Sequence, residues 1–238
     1  DLVRSRGLGD VYKRQGDGSF SFGPLSNIDD EEGTQDIYLE IWADTNDATG
    51  ARVDDEFGSF WWNNTKTIYN VPDGTYDFGT IEVDEPENAA FNIFNVLING
   101  YRYVQNSPPF QAPPKVTALW YPENSHGTHY HRETREIHIL GTASDPDQWD
   151  DGVILHEYGH HLACAYDFDN GGGFHRWWLL HSREIAWSEG WAHYFSSVVR
   201  QSPSWRDTKS DTDGDGIGEE WEEKNVENGV ITWSNGTK

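Results

Sequence analysis

His156, Glu157 and His160 form the pattern His-Glu-x-x-His inside GVILHEYGHHLA, a run that reads as helix. Residues four apart on a helix share a face, so the two imidazoles point the same way. Neutral imidazole is a good zinc donor, with bonds of about 2.0–2.1 Å. Glu157 lies one step round the helix, beside that pair and not in it. A carboxylate there can take a proton from water that a metal has activated. Val153, Ile154, Leu155 and Leu162 are the apolar residues that would bury such a helix and hold its ligands still. A buried stretch of this pattern with no metal is the competing reading.

A catalytic zinc site takes three protein ligands and keeps one position open, so a third donor is required. A metzincin arrangement needs Gly at 163 and His at 166; the chain has Ala163 and Tyr166, which excludes it. The better candidate is Glu189, in Trp187-Ser188-Glu189-Gly190-Trp191 on the next predicted helix. His175 and His181 are rivals, and a plain ion-pairing Glu189 is the bland alternative. Together, HEYGH and SEGWAHYF resemble the gluzincins, the thermolysin-like clan of zinc metallopeptidases, with a fungalysin-like flavour (HEYTH…GEGWSD). The resemblance covers about residues 88–200. It implies His156, His160 and Glu189 as zinc ligands, Glu157 as catalytic base, and a protein or peptide substrate. The chain departs from that pattern at His193, where the clan has an Asp that hydrogen-bonds the first His. His193 is expected either to accept a proton from His156 or to contact substrate. The clan's oxyanion-stabilising His or Tyr lies well downstream of the third ligand, so no residue, Tyr194 included, is assigned to that task.

A second constellation is Asp211-Thr-Asp213-Gly-Asp215-Gly216. Counted from Asp211, Ile217 takes the backbone-carbonyl position of an EF-hand-type loop and Glu222 the bidentate one. The segment resembles calcium loops of thrombospondin type 3-like bacterial repeats. Clustered carboxylates repel one another unless a cation neutralises them, which favours Ca2+; a solvated acidic linker is the alternative.

The elements that must position these residues suggest an α+β chain. Residues 1–15 resemble a translated sequencing adapter of the transposase type and are set aside from the fold; on that reading the natural start is lost. Residues 16–85 alternate apolar and polar in DIYLEIWAD, with further candidate strands in ARVDDEFGSFWW, KTIYNV and YDFGTIEV. They read as a small, truncated β-sandwich module; GDGSFSF resembles transthyretin-like modules of secreted bacterial proteins. DEPEN at 84–88 marks a boundary to a zincin-like domain over 88–205. There Phe91, Phe94, Leu97 and Tyr101 share one face of a helix. KVTALWYP and REIHIL read as strands. The run SDPDQWDDGVILHEYGHHLACAY reads as one helix, with Asp145 as N-cap and Gln148 completing a capping-box-like pattern. SREIAWSEGWAHYFSSVVR is another helix, and 208–230 is an acidic calcium-binding segment. Trp177, Trp178, Trp187 and Trp191 read as core or interface more than as a carbohydrate platform.

Composition removes other classes. With 17 Lys and Arg against 41 Asp and Glu, the net charge is −24, a surface that repels nucleic acid. No apolar run is long enough to span a membrane. Cys164 is the one cysteine, so no internal disulfide forms. The expected setting is extracellular or at the cell surface. A binding protein with an inactive zincin domain, and a zinc hydrolase of a non-peptide amide, remain alternatives. Oligomeric state is not legible.

Overall fold

The computed structural model describes Gly23, residues 35–107, 111–168 and 180–209, and the strand backbone of 220–225 and 230–234. Its elements, in chain order, are β1 (Gln35–Ile37), β2 (Glu40–Trp42), β3 (Ala51–Asp54), β4 (Trp62–Asn64), β5 (Ile68–Val71), α1 (Glu87–Gln105), β6 (Val116–Leu119), β7 (His129–His131), β8 (Glu136–His138), α2 (Asp151–Ala165), α3 (Arg183–Arg200), β9 (Ser204–Lys209), β10 (Glu220–Asn225) and β11 (Val230–Ser234). The architecture mixes three α-helices with small sheets and is compatible with α+β.

The central sheet runs β3-β6-β8-β7. β3, β6 and β8 are parallel and β7 is antiparallel at the edge. β3 and β6 alternate buried and half-buried residues, so Ala51, Val53, Val116 and Ala118 line the core side. α1 packs on β3 and on α2. Its buried stripe includes Ala90, Ile93, Phe94, Leu97, Tyr101 and Val104, the spacing of one helical face. Phe91, expected on that face, is only partly buried at its margin. Fully burying a Leu or Ile side chain contributes about 1.5–3 kcal/mol, so Ile93 and Leu97, both 0% exposed, anchor the helix to the sheet.

The β module of 16–85 does not emerge as expected among the described residues. DIYLEIWAD is broken into β1 and β2, which pair separately with β5 and β4. YDFGTIEV forms no strand. β3 leaves its neighbours altogether and pairs in parallel with β6, across the boundary drawn at 84–88. A strand with Ala and Val on one face and Arg52 and Asp54 on the other suits the edge of a half-covered sheet, and periodicity cannot say which sheet.

α2 lies at the centre, with eleven of its fifteen residues buried. It begins later than the capping pattern predicts. Asp147–Trp149 form a 3-10 turn, and Asp150, not Asp145, precedes the helix. Asp150 makes no side-chain cap because Thr208 of β9 claims its carboxylate, donating from N and Oγ1 at 2.8–2.9 Å. α3 starts at the Ser182 cap, whose Oγ accepts from Ile185 N at 3.3 Å. The segment after it, for which the sequence suggests only an acidic calcium-binding stretch over 208–230, contributes the antiparallel strands β11-β10-β9. Of the calcium candidates, Asp211, Asp213, Asp215 and Ile217 lie outside the described residues; the Glu222 backbone is in β10, opposite Asp207.

Candidate metal centre

Four-residue spacing on α2 puts His156 and His160 on one face, with their Nε2 atoms 3.2 Å apart. α3 crosses that face and brings in Glu189. Its Oε2 is 3.1 Å from His156 Nε2 and its Oε1 is 3.4 Å from His160 Nε2. Among the described residues, His156, His160 and Glu189 form one of two groups of donors close enough to share a metal ion. Four donors placed tetrahedrally around zinc at about 2.0–2.1 Å stand roughly 3.3–3.4 Å from one another. The three separations seen match that within a few tenths of an ångström. The two-nitrogen, one-oxygen set is also a zinc set. The residues therefore fit the group that their pattern implies.

The helices reach this distance through small residues. A Cβ on Gly159 would lie 2.9 Å from Ala192 Cα, so α2 and α3 touch backbone to backbone near where the three donors face each other. Trp191 Nε1 donates to Gly159 O at 2.9 Å, and Ser196 Oγ to Gly152 O at 2.8 Å. Trp205 of β9 adds a third bond, from Nε1 to Gly152 O at 3.0 Å.

The far sides of the two imidazoles differ. His160 Nδ1 lies 3.3 Å from Ser188 Oγ. His156 Nδ1 is buried with no hydrogen-bond partner among the described residues. Of the two roles expected for His193, accepting a proton from His156 Nδ1 is not seen. The two rings pack instead at a 4.4 Å centroid distance, tilted by 55°, and His193 also meets Trp205 edge-on at 5.1 Å. His161, the third histidine of the run, faces away. Its Nε2 donates to Pro114 O at 3.1 Å, and burial pushes its pKa down to about 4, which keeps it neutral.

Glu157 is buried and stands outside the trio. Its Oε2 accepts from the Tyr130 backbone N–H at 2.7 Å, from the edge strand β7. His181 does not join the trio, and His175 lies outside the described residues. Tyr194 and Trp187 are exposed, whereas Trp191 packs on the core; Trp177 and Trp178 are outside the described residues. Sequence reasoning passed over Tyr130, Ser188 and Trp205. Ser188 alone had a signal, its place next to Glu189 on a helix; the others are brought in by strands far along the chain. A cavity of about 690 Å³ between α1, the start of α2 and the end of α3 contains none of the trio. Proximity of donors, not enclosed volume, marks the centre.

The family model of the Mycolysin C-terminal domain matches residues 105–233. That span holds α2, α3 and the β9–β11 sheet. No curated protein and no solved structure matches the chain.

Proposed function

The chain belongs to the family of the Mycolysin C-terminal domain, which is protease-associated, and from that premise we propose a zinc-dependent metallopeptidase of gluzincin type. His156, His160 and Glu189 hold the metal and Glu157 is the general base. The observation that carries this reading is the triangle of donors at 3.1–3.4 Å, drawn from two helices, with a buried carboxylate left beside it. Zinc bound there supplies a Lewis acid that activates water and polarises a carbonyl. Glu157 takes the proton from the attacking water and passes it to the leaving amine. The Tyr130 amide holds one of its oxygens in place, so the other handles the proton. β7 is the outer strand of the sheet, and the Tyr130 amide faces the base. An extended peptide laid along that edge as an added strand would run past Glu157, which favours a peptide over a small amide. Members of this family are typically secreted, in keeping with an extracellular or cell-surface enzyme. Asp211, Asp213, Asp215, Ile217 and Glu222 remain a candidate calcium loop.

The test separates binding from catalysis. Glu157→Gln should keep about one zinc per chain while casein cleavage falls about 100-fold or more. Metal content by mass spectrometry and a casein assay read the two. Bound zinc with cleavage that is absent from the wild type, or indifferent to Glu157, would leave a binding protein with a zincin-like centre.

A further inference from the structure

Three carboxylates outside the His–Glu centre converge where the chain enters α2. Asp145 and Asp147 come from the loop and 3-10 turn before the helix, Asp207 from β9. One oxygen of each lies within 4.8 Å of the others. Three oxygens this close together could hold one metal ion between them, with calcium–oxygen bonds of about 2.3–2.6 Å after a small inward shift. Asp147 is 5% exposed. Thr128 Oγ1 donates to its Oδ2, and Leu140 N in turn donates to Thr128 Oγ1 at 2.8 Å. Its Oδ1 is buried without a hydrogen-bond partner among the described residues, and so is Asp145 Oδ1. Native structures seldom leave a buried carboxylate oxygen unmatched.

The charges point the same way. Lys209 Nζ lies 3.3 Å from Asp145 Oδ2. That ammonium offsets part of the negative charge gathered here, and a divalent cation held between the carboxylates would offset more. Burial, and then the charges of Asp145, Asp207 and Asp150, push the Asp147 carboxyl up to about 8 against the opposing Thr128 hydrogen bond.

We propose that Asp145, Asp147 and Asp207 form a calcium site that ties the entry of α2 to β9. The donors are all carboxylate oxygens, a set for a hard cation, and calcium accepts irregular oxygen cages where magnesium demands a near-ideal octahedron. The ion would fasten the two ligand helices together from outside the first centre. α2 carries His156 and His160. β9 follows α3 and presses Trp205 against His156 and His193, at 6.3 and 5.1 Å between centroids. Thr208, beside Asp207 on β9, already binds Asp150 at the start of α2. This site is separate from the Asp211–Glu222 segment and does not depend on the peptidase reading.

The experiment uses the whole chain, stripped of metal on a chelating resin and given one equivalent of zinc. Calcium chloride is titrated in by calorimetry and the thermal midpoint is followed. Calcium should raise the midpoint of the wild type. Asp147→Asn keeps an acceptor for Thr128 but removes a charge, and should weaken this binding about tenfold or more. Without calcium, its midpoint should equal or exceed that of the wild type, because the repulsion is gone; a merely structural Asp147 would lower it. Asp207→Asn should also lose the response, and it serves if Asp147→Asn fails to fold. Asp213→Asn controls for the second acidic segment and should leave the response of this site in place. A calcium response that survives both Asp147→Asn and Asp207→Asn, or no response in the wild type, overturns the proposal.

Discussion

His160 is held at both ends: Nε2 faces the Glu189 carboxylate, and Nδ1 meets Ser188 Oγ from the residue next to that ligand. Outer partners of this kind fix the orientation of a metal-binding ring, and their loss typically costs 10–100-fold in affinity. If the proposed zinc peptidase reading holds, Ser188→Ala should weaken zinc binding about tenfold, while cleavage at saturating zinc changes little; competition against a chelating dye reads the first and a peptide assay the second. His156 is held differently. Its Nδ1 has no hydrogen-bond partner among the described residues, and the ring is wedged by His193 and Trp205. Packing takes over where the gluzincin pattern would place an Asp.

At the scale of elements, the centre is a contact between two helices. Gly159 lies inside the His-Glu-x-x-His run, and the space its missing Cβ leaves is filled by Ala192 of α3. Overpacking a tight contact costs about 1–3 kcal/mol. Gly159→Ala should lower the thermal midpoint by several degrees and weaken zinc binding as well, because Glu189 moves away with α3. A zinc affinity equal to wild type in a destabilised Gly159→Ala protein would show that the ligands do not depend on this crossing. The β9 strand is the third member of the assembly. It fastens the entry of α2 through Thr208 and Asp150 and the helix body through Trp205 and Gly152.

For the molecule as a whole, β3 matters most. It precedes α1 by more than thirty residues, yet it completes the sheet that carries β6 and β8 and receives α1 on its buried face. Removing it would bare Val116 and Ala118 along an open sheet edge, a template for aggregation. A fragment beginning at residue 88 should show weaker near-ultraviolet circular dichroism, a lower and broader melt, and aggregation. A fragment beginning at residue 35 should fold cooperatively. Equal melting of the two would place the core entirely within the second segment. Among the described residues, no helix is long and apolar enough to cross a membrane.

The sequence by itself determined what depends on local spacing. Four residues on a helix set His156 and His160 on one face, and Ser182 began α3. The stripe of α1 was legible apart from its edge at Phe91, because 3.6-residue periodicity is a property of neighbours in the chain. The fold class was legible at the same coarse level. Which strand joined which sheet was decided in three dimensions, since a strand's alternation declares a buried face but no partner. That is why β3 crossed the drawn boundary and the stretch after α3 supplied β9–β11. The tertiary structure also decided that Glu189 meets both imidazoles, that His193 packs at a tilt against His156 without bonding its Nδ1, and that Asp145 turns from a helix cap to a carboxylate cluster with Asp207. Each joins residues far apart in the chain, and only packing brings such residues within reach of one another.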